Sequence, residues 1–142
     1  TLKAGRPWYV PCRNTLFLSY ALALAESLLI KTKKQYDIFV GFKCEGKEYY
    51  PDTTPDFVAA INNLSKVSCA KPLRIIAPFI KKDKEDIVSL ALSIGVDLQQ
   101  TFSCYVGPNI HCGSCLACLL RKEGFYWANA KDPTIYRTSS LR

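Results

Sequence analysis

The sequence predicts an α/β layer fold with a partial parallel sheet, and two observations support this class. Residues 38–42 and 73–77 are short, mostly apolar segments without the polar alternation of a half-exposed strand, which is typical of parallel strands covered on both faces. A segment with helical spacing follows each of them, and alternation of strand and helix is the pattern of a parallel sheet. Two or three short strands leave an edge of the sheet open, so we expect another segment or another chain to extend it.

The amino-terminal third contains a short predicted strand at residues 8–10, which ends before Pro11, and a predicted helix over residues 16–30. This helix is apolar on most of its faces, so we expect it to be buried on several sides. Polar residues interrupt the apolar run before it reaches the roughly eighteen residues of a membrane span. We therefore expect a core helix and no membrane partner.

Two later helices carry start and stop signals. Thr54 is a capping residue, and Pro55 stands at the first helical position after it. The predicted buried face of this helix comprises Phe57, Ile61 and Leu64. Asp83 and Asp86 form a pair like a capping box before a helix that ends at Gly95. Its predicted buried face comprises Ile87, Leu90, Ala91 and Ile94. A short helix through residues 119–121 follows.

Four cysteines lie within fifteen residues near the carboxyl end, namely Cys104, Cys112, Cys115 and Cys118. The last three form a C-x2-C-x2-C run, so one tight loop supplies three sulfur ligands. Four thiolates around one ion suit tetrahedral zinc, and a closed all-thiolate shell indicates a structural site. Gly113 resembles the glycine of a zinc knuckle, which lets the backbone fold around the metal. We predict one structural zinc ion per chain.

Other uses of these cysteines are open at this stage. Iron–sulfur clusters also use C-x2-C steps. A disulfide framework normally has an even cysteine count and a secretory signal, whereas this chain has seven cysteines and no such signal. His111 lies beside Cys112 and is a substitute ligand, although four sulfurs already complete the shell.

Size and composition indicate about one domain with a real core, since 49% of the 142 residues are hydrophobic. Nothing at the amino terminus resembles a signal peptide, so we expect free thiols and a cytoplasmic location. The chain opens on threonine and contains no methionine, so we expect a piece of a longer protein.

A net charge of +7 favours anionic partners. The charge is spread along the chain, so we expect no specific nucleic acid; a small basic zinc module that binds RNA or DNA is the rival.

Several polar side chains stand just past the carboxyl ends of predicted strands, where α/β sheets bind ligands. Arg13 and Asn14 follow the first strand, Tyr50 and Asp52 follow the second, and Lys84 opens the helix after the third. Arginine and lysine near helix amino termini suit phosphate, and a carboxylate suits a substrate amine or magnesium. Each also has a purely structural interpretation: Asn14 as a cap, Asp52 as a turn former and Lys84 as a solvated first-turn residue.

A series of short motifs runs along this chain, at residues 10–19, 38–41, 50–57, 77–80, 84, 95–97 and 103–121. In this order the motifs resemble those of the 7-cyano-7-deazaguanine synthase family of the queuosine pathway. The corresponding family stretches read V-P-x-R-N-x-x-F-L-S, I-x-I-G, Y-P-D-x-x-P-x-F, A-P-L-I, K-x-E-I, G-V-D and a final C-G-x-C-x-x-C-x-x-R. The resemblance covers residues 8–133, and the order of the motifs makes it specific.

The resemblance implies an adenine-nucleotide α-hydrolase-like (Rossmann-like) fold of the ATP-pyrophosphatase type, with a structural zinc on the four cysteines. Family members use ATP and ammonia to convert 7-carboxy-7-deazaguanine to its nitrile, through an adenylated carboxylate and an amide. The resemblance further implies that Lys84 contacts nucleotide phosphate. It places four residues in the pocket for the deazapurine substrate: Arg13, Asn14, Tyr50 and Asp52. ATP and magnesium would then be cofactors besides zinc.

The chain departs from the family in four places, which include Phe102, where a tryptophan is usual, and the acidic loop at residues 43–50. The family's Ser-Gly-Gly-x-Asp-Ser loop cradles the ATP phosphates, whereas no two glycines are adjacent here. Where the family usually has Cys-Arg-Pro, this chain has Thr53, Thr54 and Pro55, so one substrate-facing arginine is replaced.

We therefore expect three parts, which are an α/β part (residues 1–100), a zinc lobe (101–134) and a mobile basic tail (135–142). We expect no turnover without a partner segment that carries the phosphate loop, and we expect a homodimer or such a segment as partner. The rivals are a degenerate, non-catalytic relative and a structural dimerisation element.

Overall fold

The computed structural model describes residues 9–43 and 50–137 and places the chain in two units, Thr1–Lys81 and Lys82–Arg142. The first unit contains helix α1 (Arg13–Thr32), strand β1 (Asp37–Phe39), helix α2 (Pro55–Ser68) and strand β2 (Arg74–Ile76). The second contains helices α3 (Lys84–Ser93) and α4 (Leu116–Trp127). Single turns of 3₁₀ helix cover Pro51–Thr53 and Leu98–Gln100. The predicted division at residue 100 stays a prediction.

The two strands pair in parallel, with Ile38 opposite Ile75, which confirms the predicted α/β class. Both strands are shorter than the apolar segments that predicted them. The last bond between them runs from Val40 N–H to the Ile76 carbonyl, 2.9 Å, and Pro78, which has no N–H to donate, follows β2.

The strand predicted at residues 8–10 is not formed at Tyr9 or Val10, and Trp8 lies outside the described residues. A turn at residues 11–12 leads directly into α1. The ring of Tyr9 instead stacks on that of Tyr50, with centroids 5.6 Å apart and planes 4° from parallel.

Side chains of α2 form hydrogen bonds with the backbone N–H and carbonyl groups along the outer edge of β2. Ser65 Oγ accepts from Leu73 N–H at 2.8 Å and donates to the Leu73 carbonyl at 3.0 Å. Asn62 does the same for Ile75 through its amide group, with both distances 3.0 Å. Because α2 takes the place of a neighbouring strand here, the β1 side is the edge at which a further strand can pair.

The core of the first unit lies between α1, α2 and β2. Its buried residues are Leu18, Leu22, Ala25, Leu29, Ile61, Leu73 and Ile75. Thr54 Oγ1 accepts from Phe57 N–H at 3.1 Å, so the predicted start of α2 is confirmed. The predicted face is wrong in part, because Leu64 is 43% exposed. Ser65 turns inward in its place to bond β2.

Helix α1 is longer and less buried than the sequence suggested. It spans 20 residues, and a window of mean hydropathy 1.3 makes it long and apolar enough to cross a membrane, contrary to our expectation. A single helix of this kind is weak evidence, since core helices pass the same test, and one face of α1 packs into the core. The prediction of burial on several sides is wrong, because Phe17 and Tyr20 on another face are exposed and no described residue covers them.

The second unit is built on α3 packed against α4. Asp83 N–H donates to Asp86 Oδ2 at 3.1 Å, so the predicted capping box is confirmed. Gly95 ends α3 with a φ of +74°, a left-handed conformation that glycine adopts without strain. The predicted face is wrong in part: Ile87, Leu90 and Ala91 are half-buried, whereas Ile94 is 68% exposed, and Val88, outside the predicted face, is buried. Helix α4 has 12 residues and is longer than predicted.

Candidate metal centre and substrate site

The four predicted metal ligands converge on one point. The Sγ atoms of Cys104, Cys112, Cys115 and Cys118 all lie within 4.8 Å of one another. The Cys112–Cys118 and Cys104–Cys115 sulfur pairs are each 3.9 Å apart. Four sulfurs at about 2.3 Å from a tetrahedral zinc ion would be about 3.8 Å apart. A polynuclear iron–sulfur cluster divides its cysteines among two or more irons, and sulfurs bound to different irons are spaced more widely. The cluster therefore has the size that suits a single metal ion.

Local backbone conformation brings three of these sulfurs together. Gly113 has a φ of +78°, which permits the tight turn between Cys112 and Cys115, and Cys115 N–H donates to Cys112 Sγ at 3.2 Å. Cys115 is the N-cap of α4, and Cys118 lies three residues on. Residues at this spacing share one side of a helix, so the start of α4 presents two sulfurs to the same point.

Backbone N–H groups surround the sulfur of Cys104. Val106, Gly107 and Cys112 donate to it at 3.3, 3.1 and 3.3 Å. Burial, the largest single influence, raises the pKa of Cys104, but these donors together outweigh it and the net pKa is lowered. The loop is therefore shaped to hold a thiolate at Cys104.

The other sulfurs differ in how readily they ionise. N–H groups of Ser114 and Cys115 lower the pKa of Cys112 to about 6. Cys118 has no exposed surface, and its burial raises the pKa of the thiol to about 12. Four thiolates cannot coexist here without a compensating cation, so the sulfur set fits a divalent metal ion that keeps Cys118 deprotonated.

Metal binding is expected to release at least one proton at neutral pH, because Cys118 must lose its thiol proton to bind. The affinity for zinc should therefore rise with pH and fall on acidification. Calorimetric titration in two buffers of different ionisation enthalpy measures the protons released. Zinc binding without proton release would argue against Cys118 as a ligand, and Cys12→Ser serves as a control that should leave the proton count unchanged.

Arg121 ties the segments on both sides of the cysteine loop to α4. Its side chain is 8% exposed and lies 3.5 Å from Asp132 Oδ1. The guanidinium donates to Thr134 Oγ1 (2.6 Å), Thr101 Oγ1 (2.8 Å), Ser103 Oγ (3.3 Å) and the Leu98 carbonyl (2.9 Å). The sequence marked Arg121 only as the last position of the cysteine motif. Its position three residues after Cys118 was the signal in the sequence for a structural role.

The carboxylate of Asp132 is held ionised beside this arginine. Burial opposes ionisation, but hydrogen bonds from Thr134 and Tyr136 and the charge of Arg121 lower the pKa of Asp132 below its ordinary value. The Tyr136 hydroxyl donates to Asp132 Oδ2, and Arg137 N–H donates to the His111 carbonyl at 2.7 Å. The start of the predicted mobile tail is thus attached to the cysteine loop; residues 138–142 lie outside the described part of the chain.

His111 supports the centre from its periphery. Its Nε2 accepts from Ser103 N–H at 3.0 Å, and its ring packs on Phe102, 4.4 Å between centroids. Burial and then the charge of Arg121 lower its pKa, which favours the neutral imidazole. Among the described residues the cluster of possible ligands contains cysteines alone, so the structure gives no support to His111 as a substitute ligand.

Gly107→Ala is expected to weaken metal binding strongly. A Cβ at this position would overlap the Ile110 carbonyl oxygen, and Gly107 N–H donates to Cys104 Sγ, so relieving the overlap displaces a donor from a ligand. Competition with a chromogenic chelator measures the affinity. Gly41→Ala is the matched control, since its Cβ would meet no atom within 4 Å. Equal affinities for the two variants would contradict this account of the loop.

Two of the predicted pocket residues of the first unit, Asn14 and Asp52, meet at the start of α1. Asp52 Oδ2 accepts from Asn14 N–H at 3.1 Å, and the Asn14 side-chain amide donates to the Asp52 carbonyl at 3.1 Å. Cys12, the N-cap, makes no side-chain capping bond, so Asp52 caps α1 from the loop before α2. Arg13 Nε is buried and makes no hydrogen bond within the described structure. Lys84 is the first residue of α3, in the second unit.

Asp52→Ala is expected to lower the free energy of unfolding by about 1 kcal/mol, the usual effect of losing a helix cap. Urea denaturation followed by circular dichroism measures it. Asp56→Ala removes an exposed carboxylate from the first turn of α2 and should cost less. No measurable loss for Asp52→Ala would show that Asp52 does not stabilise α1 as a cap.

Known proteins match this chain along most of its length. The family model described as "Queuosine biosynthesis protein QueC" matches residues 3–129. The chain is 41% identical over 134 residues to a 7-cyano-7-deazaguanine synthase of Methanothrix thermoacetophila, covering 92% of this chain and 58% of that protein. It is 40% identical over 138 residues to the enzyme of that name in Hydrogenovibrio crunogenus, covering 92% and 57%.

A third relative, the 7-cyano-7-deazaguanine synthase of Methanothermobacter thermautotrophicus, is 34% identical over 136 residues, covering 96% of this chain and 59% of that protein. The chain thus spans somewhat more than half the length of the curated relatives it matches. Because the family model covers most of the chain, and the relatives match nearly all of it, this protein belongs to the QueC family of queuosine biosynthesis proteins.

Proposed function

We propose that this chain is the carboxyl-terminal portion of an ATP-dependent ligase that converts 7-carboxy-7-deazaguanine and ammonia to 7-cyano-7-deazaguanine. The observation that carries the proposal is the family match over residues 3–129. The relatives that match are named for this product. In this proposal the protein works in the cytoplasm, as a homodimer or with a partner segment.

The metal in this proposal is one structural zinc ion per chain. Four sulfurs close the coordination shell and leave no position for substrate, so the ion would organise the second unit and take no part in the reaction. The sulfur separation of 3.9 Å supports a single tetrahedral ion. If elemental analysis finds iron instead of zinc, iron is the structural ion.

Arg13 is the candidate for an anionic group of the deazapurine substrate. Its buried Nε–H has no partner among the described residues, and an unused guanidinium donor suits a carboxylate. Asn14 and Asp52 bond to each other, so their proposed contribution is to shape the pocket at the start of α1. The Tyr50 ring, already stacked against Tyr9, has the planar face that a deazapurine ring requires.

Nucleotide binding in this proposal needs donor groups besides Lys84. Lys84 supplies one point charge, whereas ATP binding needs several backbone donors around the β and γ phosphates. We propose that a segment with the family's glycine-rich loop supplies these donors, with magnesium, and pairs with the open edge of β1. The blocked outer edge of β2 supports this choice of edge.

Complementation tests the proposal. We expect negligible cleavage of ATP to AMP and pyrophosphate by the chain alone, with or without 7-carboxy-7-deazaguanine. Addition of the amino-terminal part of the Methanothrix thermoacetophila relative should restore the reaction, and Lys84→Ala should abolish it while zinc content stays constant. Lys82→Ala is the matched control. AMP formation by the chain alone would contradict the dependence on a second segment, and failed complementation would favour a non-catalytic relative.

Nucleic-acid binding should be weak and non-specific. A chain of net charge +7 attracts phosphate, but counterion release makes such binding fall steeply with salt. A filter-binding assay at two salt concentrations measures this. Sequence-selective binding that persists at physiological salt would favour the rival zinc module.

A further inference from the structure

Helix α4 comes unusually close to the first turn of α3 at one residue. Gly124 is buried in α4, and a Cβ there would lie 2.9 Å from Lys84 Cβ and 3.4 Å from the Lys84 carbonyl carbon. Gly124 lies in regular helix without a positive φ, so conformation does not require a glycine. Glycine inside a helix costs about 1 kcal/mol relative to alanine, which points to a packing role for it.

Gly124 makes room for Lys84, the residue that contacts nucleotide phosphate in the proposed function. Lys84 is the first residue of α3, next to its N-cap Asp83. The contact involves the Cβ and backbone of Lys84, the atoms that decide where its side chain starts. A shift of α4 at this point therefore moves the base of the lysine.

The same helix is anchored at its other end by the cysteine cluster. Cys115 caps α4 and Cys118 lies in its first turn, while Arg121 binds the flanking segments one turn before Gly124. A helix is stiff over this distance. The metal centre, α4 and the start of α3 thus form one continuous path of contacts inside the second unit.

We propose that Gly124 is a positioning residue for ATP binding: it lets α4, anchored at the metal centre, set the position of Lys84. This inference rests on the proposed function, because it takes Lys84 as the phosphate contact. It gives the structural metal a role in substrate binding that requires no direct contact between metal and nucleotide.

The first test measures ATP affinity of the zinc-loaded chain assembled with the loop-bearing segment, by calorimetry. Gly124→Ala is expected to weaken ATP binding roughly tenfold, which corresponds to one misplaced charged hydrogen bond. Zinc content should stay at one per chain. Ser89→Ala, an exposed change on α3, should leave the affinity unchanged. In the Lys84→Ala background Gly124→Ala should have no further effect, because Gly124 acts through Lys84.

A second measurement does not depend on nucleotide binding. Amine acylation followed by mass spectrometry should show a several-fold change in the labelling of Lys84 in Gly124→Ala, with labelling of Lys131 unchanged. If Gly124→Ala fails to retain zinc, adding Lys84→Gly should restore zinc binding, since it removes the Cβ that the new methyl group meets.

The outcomes separate the two proposals. If ATP does not bind the assembled protein, the proposed function fails and this inference fails with it. If Lys84→Ala weakens ATP binding but Gly124→Ala does not, or if Lys84→Gly does not restore zinc binding to a Gly124→Ala variant that lost it, only the positioning role is overturned.

Discussion

Cys118→Ala is expected to abolish metal binding and unfold the second unit. Cys118 is fully buried and lies in the first turn of α4, so its sulfur links the ion to the helix on which α3 packs. Structural zinc contributes about 10–16 kcal/mol in small zinc domains, as much as the whole stability of a typical domain. A three-ligand site retains too little of this free energy to keep the unit folded.

Elemental analysis of the purified variant and circular dichroism with limited proteolysis measure the two effects. Cys69→Ala is the control, because Cys69 packs at the edge of the core of the first unit and should leave one metal ion per chain. Full metal content in Cys118→Ala, or a wild-type chain indifferent to chelator, would contradict the role of this cluster in folding.

Arg121→Met is expected to be the most destabilising substitution outside the cysteines. The side chain is buried and donates to four oxygen acceptors besides its ion pair with Asp132. Methionine preserves much of the volume but leaves Asp132 without its cation. Removing one partner of a buried pair costs about 3–5 kcal/mol, so thermal or urea denaturation of the zinc-loaded chain should show a loss of this size.

Arg74→Met offers a matched comparison, since Arg74 is also paired with a carboxylate, that of Asp37, but is 68% exposed. Arg74→Met should change the free energy of unfolding little, because solvent already screens the pair. Comparable losses in Arg121→Met and Arg74→Met would mean that burial does not give Arg121 its importance. A double substitution, Arg121→Met with Asp132→Asn, should recover part of the loss by removing the unpaired charge.

Helix starts and the cysteine cluster were predictable because local rules govern them. The Thr54 cap bonds a residue three positions away, and the Asp83–Asp86 pair spans the same distance. Three of the cysteines lie within seven consecutive residues, so chain geometry alone limits how far their sulfurs can separate. Family membership was likewise carried by the order of short motifs, and the family match confirms the predicted adenine-nucleotide α-hydrolase-like class.

The buried face of each helix was less predictable. Most positions of α1 are apolar, so its periodicity is compatible with several apolar faces. Leu18 and Leu22 are buried while Phe17 and Tyr20 are exposed, although all four are large and largely apolar. The choice depends on which neighbours the helix meets. The same reason explains why α2 turns Ser65 toward β2 instead of Leu64.

By itself the sequence determined the helix caps and the sulfur cluster, because their residues lie close together in the chain. It also determined the α/β class and the family, because the order of short segments along the chain carries both. Only the tertiary structure decided that Asp52 caps a helix 38 residues away and that Arg121 joins Leu98 to α4. It alone showed that Gly124 makes room for Lys84. These contacts join distant parts of the chain, and no local pattern encodes which partners the folded backbone brings within bonding distance.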